Sequence, residues 1–181
     1  VAAATLVALA LIGGMITTIW QARKAERRFN DVRKLANSFL FELHDAIEKL
    51  PGATPARVLL VRRALEYLDS LAQEAAGDTT LQQELATAYE KVGHIQGNPY
   101  SANLVDLDGA LQSYQKSLAI RESLLDKGEQ PTQLWLDLAG SHRRIGDILT
   151  QKNDLPNALQ HAQKAIQLIE SLPTQELAAV Q

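Results

Sequence analysis

Few side chains in this sequence have catalytic or metal-binding chemistry to offer. Its 181 residues hold four histidines and no cysteine, which excludes thiolate nucleophiles, disulfides and cysteine-ligated zinc. His44 and Glu48 stand four apart, a spacing that puts two ligands on one helical face. A divalent site needs further ligands, and no His-Glu-x-x-His pattern supplies them. His142 reads as a packing position, and His44, His94 and His161 as surface or capping residues. Asp45 with Glu48, and Asp106 with Asp108, pair carboxylates without a partner base, so solvated helix ends account for them better than acid–base work. Phosphate-cradling loops are missing: Gly13-Gly14 lies inside an apolar run, and His142-Arg143-Arg144 lacks the Asp a phosphoryl-transfer loop requires. The expectation is no catalysis, no cofactor and no metal. With 18 basic against 21 acidic residues and 5% aromatics, a basic nucleic-acid face is not expected either.

What remains is recognition, and the elements that would position it. The chain opens on an uncharged run, residues 1–20, ending in Trp20 and followed at once by Arg23, Lys24, Arg27 and Arg28. Twenty helical residues reach about 30 Å, a bilayer's hydrocarbon thickness. The run therefore predicts an N-terminal transmembrane helix, with residues 21–28 as a basic juxtamembrane segment touching lipid headgroups of the bilayer. Ala10, Gly14 and Thr18 form a small-xxx-small row that would suit a homodimer. Val1 falls inside the run, so the chain reads as a piece of something longer.

Beyond residue 28 the pattern is helical throughout, an all-α chain punctuated at Pro51-Gly52, Gly77-Asp78, Gly97-Asn98-Pro99, 128–131, Asn153-Asp154 and Pro173. The same spacing recurs three times: Val32, Leu35, Ala36, Phe39; then Gln82, Leu85, Ala86, Tyr89; then Trp135, Leu138, Ala139, His142. Each set precedes a second helix with its own packing positions. These are Ala64, Leu68 and Leu71; Ala110, Tyr114 and Ser117; and Ala158, Ala162 and Ala165. Bulky residues at 0, 3 and 7 make a stripe, the small residue at 4 admits a neighbour, and the small residues of the second helix are expected to receive the bulky ones of the first. One hairpin cannot bury its own stripe, so hairpins must stack into an α-solenoid. The expected organisation is a hairpin over 29–76, a second over 79–127 with a loop inserted at 96–108, a third over 132–172, and a tail or continuation over 173–181.

The third unit, Trp135-x2-Leu138-Ala139-x2-His142-x3-Gly146-Asp147 with Ala158-x3-Ala162-x2-Ala165, resembles a tetratricopeptide repeat. The second, Leu85-Ala86-x2-Tyr89-x3-Gly93 with Ala110-x3-Tyr114, is similar. Spacings of 50 residues from Leu35 to Leu85 and 53 from Leu85 to Leu138 exceed that family's period of about 34. Over nearly the whole chain, the apolar run, residues 25–57, residues 60–75 and Gln96 to Leu104 resemble one arrangement. It is the C-terminal region of bacterial membrane-bound serine/threonine protein kinases that carry tetratricopeptide repeats. That resemblance implies a single-pass inner-membrane protein with extracytoplasmic repeats, whereas the basic flank implies cytoplasmic ones. It also implies a sensing or scaffolding role for a kinase whose catalytic domain is not in this sequence. A stand-alone anchored assembly factor for envelope complexes is the alternative, and a scaffold that only dimerises the kinase is another.

In such a module the first helices line a groove for a protein or peptide ligand. Its side chains are expected to be Gln83, Thr87, Glu90 and Lys91 in the second unit, and Gln133, Leu136, Arg143 and Arg144 in the third. Arg33 and Asn37 sit one turn apart in the first unit, as in the family's carboxylate clamp, although Glu84, Gln133 and Asp137 break the clamp further on. Arg143 and Arg144 are the expected anion contacts; the alternative is that these are solvated charges on an outer face. The inserted loop, with Asn98, Pro99, Tyr100 and Asn103, is a second surface, or a structural turn.

Overall fold

The computed structural model describes residues 52–126, 128 and 132–172, together with Glu42, Ala46, Ile47 and Leu50. Among the described residues there are five helices and no strand. They are α1 (Thr54–Glu74), α2 (Thr79–Gly97), α3 (Leu107–Asp126), α4 (Thr132–Gln151) and α5 (Leu155–Glu170). All five belong to a unit spanning Ile47–Gln181; Glu42 and Ala46 are helical and fall in a separate unit, Val1–Ala46.

The helices begin where the chain supplies caps. The Asp78 carboxylate accepts from the Leu81 amide at 2.9 Å, and Asp106 accepts from the Gly109 amide at 2.9 Å. Asp154 opens α5, with its side chain accepting from the Asn157 backbone amide at 3.5 Å and from Asn157 Nδ2 at 2.7 Å, and Pro156 in the first turn. Each carboxylate offsets one of the amide donors that a helix start leaves without an intrahelical acceptor. Asn153, just before that cap, holds φ 60, a left-handed conformation that Asn tolerates.

α2 packs most extensively on α3, and α4 on α5, forming two hairpins. α3 against α4 joins them, and α1 lies on α2. The core runs through these contacts. Leu68, Leu85, Tyr89, Val92, Ala110, Tyr114, Leu124, Leu138, Ile145 and Ile148 are buried. The stripe positions read from spacing are largely inside, with Trp135 half-buried and Ala162 exposed.

Around Gly93 the fit between paired helices runs opposite to the expected direction. A Cβ on Gly93 would lie 2.8 Å from the Tyr114 ring, so here the first helix is the small partner and receives the bulky side chain of the second. One turn on, a Cβ on Gly97 would come within 2.8 Å of the Ala110 Cβ. At Gly146 the nearest atom is the Ala158 carbonyl oxygen at 3.4 Å, a less crowded contact.

The expected N-terminal transmembrane helix is corrected. No helix among the described residues is long and apolar enough to cross a membrane. Each is amphipathic, burying one stripe while charged or amide side chains such as Arg62, Lys91, Lys116, Arg143 and Lys164 stay exposed on the other. Residues 1–20, the basic segment Arg23, Lys24, Arg27 and Arg28, the first stripe from Val32 to Phe39 with Arg33 and Asn37, His44, Asp45 and Glu48, and residues 173–181 lie outside the described residues.

The Gly93 contact gives a direct test. Gly93→Ala should lower stability by about 2 kcal/mol, because overpacking a rigid buried ring outweighs the roughly 1 kcal/mol of helix propensity gained. Gly146→Ala should cost less. Urea unfolding of both variants checks the order, and a raised midpoint for Gly93→Ala contradicts the contact.

Candidate functional site

The strongest polar arrangement lies where the two hairpins meet. Glu90 and His94 are one turn apart on α2, Arg121 is near the end of α3, and Asp137, Ser141 and Arg144 lie on α4. The Glu90 carboxylate is held from both sides. Its Oε2 is 2.6 Å from Arg121 Nη1, and its Oε1 is 2.9 Å from Arg144 Nη2. Arg121 also donates to Ser141 Oγ at 2.6 Å, and that hydroxyl donates to the Asp137 carbonyl at 2.9 Å. Arg144 Nε donates to His94 Nε2 at 2.9 Å, and the His94 ring meets Tyr114 edge-on with centroids 5.7 Å apart.

The side chains of Arg121 and Glu90 are only 5% and 15% exposed. That matters, because exposed ion pairs contribute little, whereas removing one partner of a buried pair leaves an uncompensated charge costing about 3–5 kcal/mol. The triad spans three helices, and the Asp137 carboxylate stands 4.0 Å from Arg121 beside it. It fixes how the α4–α5 hairpin is set on the α2–α3 hairpin.

A second polar tie binds α1 to the same stack. Asp69 on α1 accepts from the Tyr89 hydroxyl at 2.6 Å and pairs with Lys116 Nζ at 2.5 Å, and Lys116 sits 5.2 Å from the Tyr89 ring centroid. Burial would raise the Asp69 carboxyl, but the hydrogen bonds from Lys116 and Tyr89 hold it below its ordinary value. Burial, with Asp69 beside it, pushes the Tyr89 phenol up.

The structure distributes the predicted groove residues unevenly. Gln83, Thr87, Lys91, Gln133 and Arg143 are exposed. Thr87 Oγ1 donates to the Gln83 carbonyl at 3.0 Å, Gln133 Nε2 to Asp137 Oδ1 at 2.8 Å, and Arg143 reaches Asp147 only at 3.4 Å. Glu90 and Arg144 are brought together in the triad instead. Burial raises the Asp147 carboxyl despite Arg143 and Arg144 nearby. Arg121, Asp137, Ser141 and His94 were not singled out as site residues. The available signal was Arg121, a charge set between the buried positions Leu118 and Leu124, which demands a partner.

The inserted loop covers residues 98–106, because Gln96 and Gly97 complete α2, while Leu107 and Asp108 begin α3. Asn98 Oδ1 accepts from the Tyr100 amide at 3.1 Å, and Asn103 Nδ2 donates to the Asn98 carbonyl at 2.8 Å. Gln96 links the loop to the core. Its Nε2 donates to Asp106 at 3.1 Å and its Oε1 accepts from Ser113 Oγ at 2.6 Å. Arg57, buried on α1, donates to the Ala102 carbonyl at 3.3 Å. Pro99 and Tyr100 are exposed at the tip. Val105, also exposed, holds φ 60, unusual for a β-branched residue.

Among the described residues no group of three or more histidine and carboxylate side chains could hold a metal ion. His142 and His161 face each other with their Nδ1 atoms 2.9 Å apart, so one ring donates and the other accepts. Comparison of this chain with family models, with curated proteins and with solved structures returns no match.

The histidine contacts carry a pH dependence. Burial pushes His142 down to about 4, with His161 and Lys164 adding to the effect, and burial also lowers His161 and His94. Protonation of both His142 and His161 sets two N–H groups against each other at the Nδ1 contact, and protonation of His94 sets a cation beside Arg144. The folded state thus binds fewer protons than the unfolded one, whose histidines titrate near about 6.5. Stability should be full above that pH and fall progressively toward pH 4. Thermal unfolding from pH 7.5 to 4.5 should show a steeper fall than in His142→Leu; matching slopes contradict the assignment.

Proposed function

We propose that the stacked hairpins are a non-catalytic docking module for a protein or peptide. The contact surface is the outer row of the two first helices, Gln83, Thr87 and Lys91 on α2 with Gln133 and Arg143 on α4. The observation that carries this reading is the Glu90–Arg144 ion pair at 2.9 Å, which draws the adjoining faces of α2 and α4 together. Glu90 and Arg144 are used within the stack, and the side chains of the surrounding row are exposed. Arg143, with 59% of its side chain exposed and a long contact to Asp147, is the basic group best placed to meet an acidic ligand. Arg144 acts beneath it as a positioning residue.

The resemblance to bacterial serine/threonine kinases bearing tetratricopeptide repeats supports the setting: a scaffolding or sensing region that brings a partner to a kinase. The stacking of helical hairpins and the small-residue contacts at Gly93, Gly97 and Gly146 are consistent with repeats of that kind.

A random-peptide display library panned on the whole chain tests the proposal. Enriched peptides should carry acidic residues. The Lys91→Glu/Arg143→Glu variant should bind them at least about tenfold more weakly by fluorescence anisotropy, a loss of about 1.4 kcal/mol, with an unchanged melting temperature. No enrichment over an unrelated helical protein, or equal affinity of the variant, contradicts it.

A further inference from the structure

Arg57 is a buried cation that no carboxylate answers among the described residues. It stands close to the start of α1 and is 6% exposed. Its guanidinium meets one acceptor there, the Ala102 carbonyl, which takes an Nη2 hydrogen at 3.3 Å. That is long for an N–H to O bond. Its Nε is buried with no acceptor at all. Nε and Nη2 share one edge of the guanidinium, the edge that grips an oxyanion through two parallel hydrogen bonds. A buried charge with an unmade donor is costly, and an anion is what ordinarily offsets it.

The described surroundings supply no such anion. Residues 98–105 of the loop that Arg57 touches carry no charge. Asp106, which closes the loop, has both oxygens engaged, one by Gln96 Nε2 and the other by the Gly109 amide. The first acid along α1 is Glu66, and Arg63 holds it at 2.6 Å. The helix start adds to the positive field instead of relieving it. Ala53 offers no side-chain cap, and the first turn holds no acidic residue. Long side chains on a helix lean back toward its N-terminus, which sets the Arg57 stem over that same turn.

We infer that the Nε–Nη2 edge of Arg57, between the start of α1 and Ala102, is a binding site for a phosphate group. The guanidinium brings one full positive charge and the helix start about half of another, against about −1.5 to −2 on a phosphate group at neutral pH. A carboxylate, with a single charge, leaves part of that field unanswered. Ala102 is exposed, so the Arg57 tip lies just beneath the surface. The phosphate reaches Nε by taking the place of the long Ala102 contact. The site lies on α1 and the loop, apart from the proposed ligand row on α2 and α4.

Titrating the whole chain with inorganic phosphate at constant ionic strength, while following the Arg57 Nε–H signal by NMR, tests the site. The signal should move and saturate, and acetate should leave it near its starting position. Thr54→Asp, which adds a negative charge to the first turn, should weaken phosphate binding at least about threefold. Arg57→Met should melt no lower than the parent chain without phosphate, because an unpaired buried charge is removed. It should also lose the rise in melting temperature that phosphate gives the parent. Glycerol phosphate tells the sources apart: a matching shift assigns the site to monoesters as well, and none assigns it to the free ion. An Nε–H signal that phosphate leaves unmoved overturns the inference, as does an equal response to acetate. So does an Arg57→Met chain that phosphate stabilises as much as the parent, or one that melts lower without it, which would mean the charge is already answered within the chain.

Discussion

A carboxylate held between two guanidinium groups can be satisfied in only one relative setting of the helices that carry them. Glu90 sits in that position, with Arg121 from the neighbouring helix on one side and Arg144 from the next hairpin on the other. Apolar stripes alone tolerate sliding by a turn, since Leu and Ile contacts are non-directional. A buried ion triad does not, because a shift leaves charge without its partner. The stack's register therefore depends on this triad more than on the area buried around it. The exposed row from Gln83 to Arg143 inherits its geometry from the same constraint.

Close approach between helices is the second requirement, and it is met by missing side chains. Gly93 receives the Tyr114 ring and Gly97 receives Ala110, while Ser117 bonds to the Ala86 carbonyl at 2.7 Å from inside the core. Backbones brought this near let Arg121 reach Glu90 across the α2–α3 contact. The small-residue contacts and the ion triad thus act in sequence: the first sets the distance within a hairpin, the second the register between hairpins. The Asp69–Tyr89–Lys116 tie does the same for α1 at the other end.

Local signals in the sequence mapped onto the fold wherever one residue type acts alone. The breaks read at Gly77-Asp78 and Asn153-Asp154 fall between helices, and Ala64, Leu68, Ala110, Tyr114 and Ser117 are buried at the positions their spacing marked. The loop ran shorter than its composition suggested, because Gln96 and Gly97 still have helical partners before Asn98 ends the helix, its amide bonding to the His94 carbonyl at 3.1 Å. Pairing between distant charges was not legible. Glu90 and Arg144 lie on helix faces that periodicity assigns to solvent, and only the fold brings them together. An apolar run of twenty residues carried the reading of a membrane span, yet no described helix is both long and apolar enough to cross a membrane. Arg121 was the one charge whose place among leucines could have exposed the network.

A double-mutant cycle between Glu90 and Arg121 by urea unfolding tests the central claim most directly. The account predicts that Glu90→Gln destabilises the chain strongly, that Arg121→Met does so as well, and that the double variant loses less than their sum, with a coupling of at least about 1.5 kcal/mol. Losses that add to within about 0.5 kcal/mol would contradict it.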